Sequence, residues 1–183
     1  MDRNLKDKSL PFLLTALVII LDQAVKTFIT ARWPKEGTFI KDVFNNDFLV
    51  LYHVRNKAIA FSIGENIPQS FRFVFFIIVP ILVLVFLTVY YFKSADFTRL
   101  QRWAITGIIG GGFGNIIDRI FRKDGVVDFI SVKFYGLLGM QRWPTFNIAD
   151  ASVVICCVIL LITMIIPRNP RRTGQKFPPQ GRQ

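Results

Sequence analysis

Four long apolar blocks, separated by polar connections of unequal length, dominate the 183-residue chain. They run over about residues 10–28, 71–92, 103–120 and 148–166. Each approaches the roughly 20 residues needed to cross ~30 Å of hydrocarbon as a helix. The pattern predicts a membrane protein, mainly α, with four transmembrane helices and a small extracytoplasmic β-sheet and loop region. One domain then covers residues 1–166, and a basic, disordered cytoplasmic tail covers 167–183.

The first block opens like a signal peptide, but Asp22 and Lys26 stand where small cleavage-site residues would lie. A retained span follows. Asp22 and Lys26 are four apart and share one helix face. A structural ion pair and a part in a site both remain open for them. In the first connection, Phe48 to Val54 is rich in β-branched and aromatic residues and reads as a strand between turns at Asn45-Asn46 and Gly64. A hairpin or small sheet at the membrane surface is expected, with residues 30–70 acting as a mobile flap. The second block is apolar all round and carries Pro80, which predicts a kink. In the third, Gly107/Gly111 and Gly110/Gly114 are spaced for close helix approach. Gly111, Asn115 and Arg119 fall on one stripe there, with Asp118 beside it.

Composition supports this reading. Hydrophobic residues make up 52% of the chain and charged residues 19%, so the charges are few enough to be confined to block ends. The net charge of +11 is not a nucleic-acid footprint, because Lys and Arg cluster beside apolar blocks. They mark the N-terminus, the 93–102 loop and the tail as cytoplasmic. Both termini then lie inside. Asp22, Lys26, Asn56, Asn115, Asp118, Arg119, Asp128, Asn147 and Asp150 then gather at the outer face. Cys156 and Cys157 are adjacent in an apolar run and read as filler. With His53 the only histidine, neither a His-based metal centre nor a Ser/His triad is expected, and no cofactor is expected.

Ionisable groups at membrane depth are costly and usually functional. Two carboxylates held close share one proton and titrate as a unit. The ionised member can activate water while the protonated one polarises a carbonyl. Asp128 and Asp150 suit such a pair: each ends a short apolar motif at the outer end of a span. Asp118 is a rival, although Arg119 or Lys26 would keep it ionised and structural. Asn115 and Asn147 can donate amide hydrogen bonds to a carboxylate or an oxyanion. Arg119 can bind a carboxylate or a lipid phosphate. The glycine run is packing and not a phosphate loop, because the Lys-Ser/Thr ending is absent. A proton-coupled carrier is the competing class, but it should place its site near the midplane between repeats, and no repeat is visible. A non-catalytic assembly factor is not excluded by composition.

Five motifs in order carry a family resemblance. They are Asp22-Gln-Ala-Val-Lys26, Asn56-Lys-Ala-Ile-Ala-Phe61, Gly114-Asn-Ile-Ile-Asp-Arg119, Val126-Val-Asp-Phe129 and Phe146-Asn-Ile-Ala-Asp150. Over about residues 10–166 the chain resembles signal peptidase II, the bacterial lipoprotein signal peptidase. The resemblance implies an aspartic endopeptidase of the inner membrane with Asp128 and Asp150 as its dyad. It implies prolipoprotein substrates cut before a diacylglyceryl-modified cysteine. Membrane lipid is the other expected partner, and a monomer is expected. Asn56, Asn115, Arg119 and Asn147 would line the site, and Asp22 and Lys26 would support it. The chain departs from the family at Ala58, where the motif has Gly, so a positive φ there would be strained.

Overall fold

The structure is a computed structural model and describes residues 3–56, 71 and 73–166. A short helix α1 (Arg3–Ser9) leads through Leu10-Pro11 into α2 (Phe12–Arg32). Strands β1 (Phe39–Asp42) and β2 (Leu49–Asn56) follow. A π-helical turn over Val74–Ile78 runs into α3 (Val79–Lys93), and α4 covers Arg99–Phe121. Strand β3 (Val126–Val132) and α5 (Ile148–Ile165) complete the order. Ala58, the segment 57–70 and the tail 167–183 lie outside the described residues.

Among the described residues, three helices are long and apolar enough to cross a membrane: Leu5–Arg32, Val74–Lys93 and Ile148–Ile165. The expected third span, α4, has 23 residues, long enough to run the same depth, but it is less apolar than its neighbours. The reason is its place in the bundle. Eleven of its residues are buried, against four in α2 and two each in α3 and α5, so α4 is the central helix. Its polar and glycine positions face protein, and the lipid-facing surface is left to the others.

The glycines allow that centre to be so narrow. A Cβ on Gly110 would meet the backbone of Thr15 in α2, at 3.0 Å from its Cα. A Cβ on Gly111 would overlap the Ala149 carbonyl oxygen of α5. On Gly112 it would meet Leu84 of α3 at 2.7 Å. Close backbone approach then permits bonds such as Thr15 Oγ1 to the Thr106 carbonyl at 2.7 Å and Ser152 Oγ to the Gly107 carbonyl at 3.0 Å. The irregularity expected at Pro80 falls one turn earlier, in the π-helical turn. A proline there has no N–H for the carbonyl of residue 76, and the backbone widens to accommodate the loss.

The sheet is antiparallel with order β1-β2-β3. The β1–β2 hairpin turns through Asn45 and Asp47, both at positive φ, which Asn and Asp tolerate better than most residues. Its third strand comes from the second connection, which the periodicity did not single out as a strand. Val126-Val-Asp-Phe-Ile-Ser-Val is β-branched enough to extend, and Gly125 at φ +98° turns the chain out of α4 into it. Ile29, Val127 and Phe129 form the core between sheet and bundle, with Val25, Ile40, Leu51, Ile130 and Ile148 packed around them.

Candidate active site

At the sheet end of the bundle, polar side chains from α2, α4, α5, β2 and β3 meet in one connected network. The return of the chain after β3 makes this possible. Phe146 accepts from the backbone N–H groups of Phe129 and Ile130 and donates to the Ile130 carbonyl, so the residues before α5 lie along the β3 edge. That covers an otherwise open strand edge. It also sets Asn147 beside Asp128.

Asn147 is the N-cap of α5 and forms a capping box with Asp150. Its side-chain oxygen accepts from the Asp150 N–H at 2.9 Å, and Asp150 Oδ2 accepts from the Asn147 N–H at 3.2 Å. Helix capping thus fixes where Asp150 stands. Meanwhile Asn147 Nδ2 donates to Asp128 Oδ1 at 2.7 Å and to Asn115 Oδ1 at 3.1 Å. Asn115 Nδ2 in turn donates to Asp150 Oδ1 at 2.7 Å. Asn56, at the end of β2, donates to Asp128 Oδ2 at 2.9 Å. One amide, Asn147, therefore touches both aspartates.

The two carboxyls differ in surroundings. Asp128 is only 2% exposed, whereas Asp150 is partly open. Burial, and then the neighbouring charge of Asp150, push the Asp128 carboxyl up to about 7 from 3.8. The amides of Asn56 and Asn147 and the charge of Lys26 oppose that rise without cancelling it.

Beneath the pair lies a fully buried ionic cluster. Lys26 Nζ stands 2.7 Å from Asp22 and 3.1 Å from Asp118, and it donates to Asn115 Oδ1 at 3.1 Å. Asp22 Oδ1 accepts from the Ala149 N–H at 3.0 Å, which ties α2 to the first turn of α5. Asp118 accepts from the Val127 N–H at 3.1 Å, which ties α4 to β3. Asp118 is thus engaged with Lys26 and the β3 backbone, not with the other two aspartates. Its expected alternative partner, Arg119, is not the one it uses. Arg122, one helical turn on, holds Asp118 Oδ1 at 3.1 Å. A residue next in sequence points about 100° round the helix, whereas i+4 stacks above. Arg119 instead lies 5.9 Å over the Phe76 ring, within electrostatic reach of Asp150, Asp128 and Asp118.

Two contributors escaped the sequence reading. Gln23 donates to Asp118 at 2.9 Å and to the Gly114 carbonyl at 3.0 Å. It sits inside the Asp22–Lys26 motif, and that position was the available signal. Arg122 could have been found from its spacing to Asp118.

An aspartate pair bridged by amides, set on a charged base at one end of an apolar bundle, suits hydrolysis of a peptide bond at a membrane surface. The family described as signal peptidase (SPase) II matches residues 14–166. The chain belongs to that family. The lipoprotein signal peptidase of Treponema denticola is 48% identical over 89% of this chain and 92% of its own length. That of Treponema pallidum is 42% identical over 87% and 85%. Among solved structures, a bacterial membrane enzyme determined in meso at 2.3 Å resolution superposes with a TM-score of 0.71. It is 31% identical, covering 85% of this chain and 87% of that one. A second, at 1.9 Å resolution, gives 0.70 at 29% identity, over 86% and 93%.

Proposed function

We propose that this chain removes signal peptides from diacylglyceryl-modified prolipoproteins, cutting before the lipidated cysteine, with Asp128 and Asp150 as the catalytic pair. The observation that carries the pairing is Asn147, whose side chain bonds Asp128 while its cap fixes Asp150. Asp128, buried and raised to about 7, holds the proton and donates it to the scissile carbonyl oxygen. Asp150, the more open of the two, takes a proton from water, whose oxygen attacks the carbonyl carbon. The tetrahedral intermediate collapses when the proton on Asp150 passes to the leaving nitrogen and the C–N bond breaks. Asp128 recovers its proton from the hydroxyl of the intermediate as the new carboxyl forms, so both acids end as they began.

Asn56, Asn115 and Arg119 line the pair and position the substrate backbone. Their amide and guanidinium donors suit carbonyl oxygens and a developing oxyanion. Asp22, Lys26 and Asp118 hold the surrounding elements in register. Lys93, Arg99 and Arg102 sit at the bundle end away from the pair, which supports cytoplasmic termini and a site near the outer face of the inner membrane. The apolar helix faces offer the acyl chains of the substrate a lipid-like path.

Cleavage of a synthetic diacylglyceryl-cysteine peptide by the purified chain, wild type against Asp150→Asn, tests the proposal. The variant should fall by about three orders of magnitude or more, as for loss of acid–base chemistry. Full activity in the variant would remove Asp150 from the pair.

A further inference from the structure

At the bundle end opposite the aspartates, a second polar site stands apart from the peptidase chemistry. A cavity of about 440 Å³ opens where α1 bends into α2 and the first turn of α4 passes by. Arg99 lies sixteen residues before Asn115, about 24 Å along α4 at 1.5 Å per residue. The cavity walls carry Asp7, Arg99 and Arg102 together with Leu10, Phe97 and Trp103.

The charged groups of this cavity are not satisfied by one another. Among the described residues, neither Asp7 nor Arg99 belongs to an ion pair. Arg102 lies 5.6 Å over the Tyr91 ring, and its Nη1 is buried without a hydrogen-bond partner. The wall is also held in place. Tyr91 donates its hydroxyl to the Lys8 carbonyl at 2.7 Å, and Lys8 Nζ donates to the Phe92 carbonyl at 2.7 Å, which fixes α1 against α3. The cavity lining also carries exposed apolar groups, Leu10 and Trp103.

We propose that this cavity binds a zwitterionic phospholipid headgroup of the phosphatidylethanolamine type, from the leaflet opposite the aspartate pair. The guanidinium groups of Arg99 and Arg102, both on the cavity wall, match the phosphodiester. The carboxylate of Asp7 matches the primary ammonium, which carries N–H donors. The aromatic rim matches the interfacial depth at which Trp and Phe sit beside headgroups. Phosphatidylglycerol would satisfy the arginines but leave Asp7 without a cation. Phosphatidylcholine has a cation but no N–H to donate.

The full chain in detergent micelles, doped in turn with phosphatidylethanolamine, phosphatidylglycerol or phosphatidylcholine at equal mole fraction, provides the test. Retained lipid is counted by native mass spectrometry. One phosphatidylethanolamine should be held about tenfold more tightly than either competitor, the size of one charge-assisted hydrogen bond. Arg99→Gln should weaken it about tenfold, and Asp7→Asn should erase its advantage over phosphatidylglycerol. Both residues are exposed, so both variants should fold. Peptide cleavage in detergent should be unchanged in each. Equal retention of phosphatidylethanolamine and phosphatidylglycerol, or no effect of either variant, would overturn the proposal. So would displacement of the lipid by inorganic phosphate at matching concentration, which would make this a phosphate site.

Discussion

Replacing Asp128 with asparagine removes a charge while keeping a shape, and its effect on stability should depend on pH. The carboxyl is raised from 3.8 to about 7 by burial and by Asp150. It therefore binds its proton more tightly in the folded chain than in the unfolded one. Folding is favoured while that proton stays on, and the advantage is lost as pH rises from the unfolded value through about 7. Between about pH 5 and about pH 8, the wild type should lose about 3 kcal/mol relative to a chain with a neutral group at this position, at ~1.4 kcal/mol per unit. The new amide also turns an NH₂ toward Asn56 or Asn147, which both donate to this residue now. That mismatch costs about 1–3 kcal/mol at every pH and leaves the difference between the two conditions intact.

The assay is thermal unfolding of the detergent-solubilised chain at both pH values. Relative to wild type, the Tm of Asp128→Asn should rise by roughly 6–12 °C from the lower pH to the higher, at ~2–4 °C per kcal/mol for this size. In an Asp150→Asn background the rise should shrink, because one of the two causes lifting Asp128 is gone. A Tm difference that stays constant with pH, or that moves the other way, would refute the assignment of a raised, proton-holding Asp128.

Peptide cleavage should decline as pH rises through about 7, because Asp128 must carry its proton to polarise the carbonyl; a flat profile across that range takes the acid role from it. Lys26→Met should destabilise the chain by about 3–5 kcal/mol, read as a lower Tm, because it leaves Asp22 and Asp118 buried without their shared cation. Gly111→Ala should cost about 1–3 kcal/mol in stability, because its methyl overlaps the Ala149 carbonyl. It should lower cleavage as well, since Ala149 adjoins Asp150. Unchanged Tm and activity in Gly111→Ala would show that α4 and α5 can separate freely.

Much of the site was legible because its causes are local. Asp22 and Lys26 pair at i, i+4, and Asn147 and Asp150 cap a helix start; each follows from spacing along a few residues. The apolar blocks announced helices because a bilayer requires length and greasiness in a row. Other features were not local. The β3 strand joins a sheet begun far earlier in the chain, at Phe39, and only pairing with β2 makes it a strand. The choice of Arg122 over Arg119 for Asp118 depends on where the neighbouring helices stand.

Chain order and composition therefore determined that the protein enters a membrane and which polar residues are the candidates for its chemistry. The tertiary structure decided how those residues divide their work. It buried Asp128 against the sheet while leaving Asp150 partly open, and it committed Asp118 to Lys26 and to the β3 backbone. Three aspartates look alike as letters; they differ by desolvation and by the donors around each carboxyl, and those arise only when distant segments pack together.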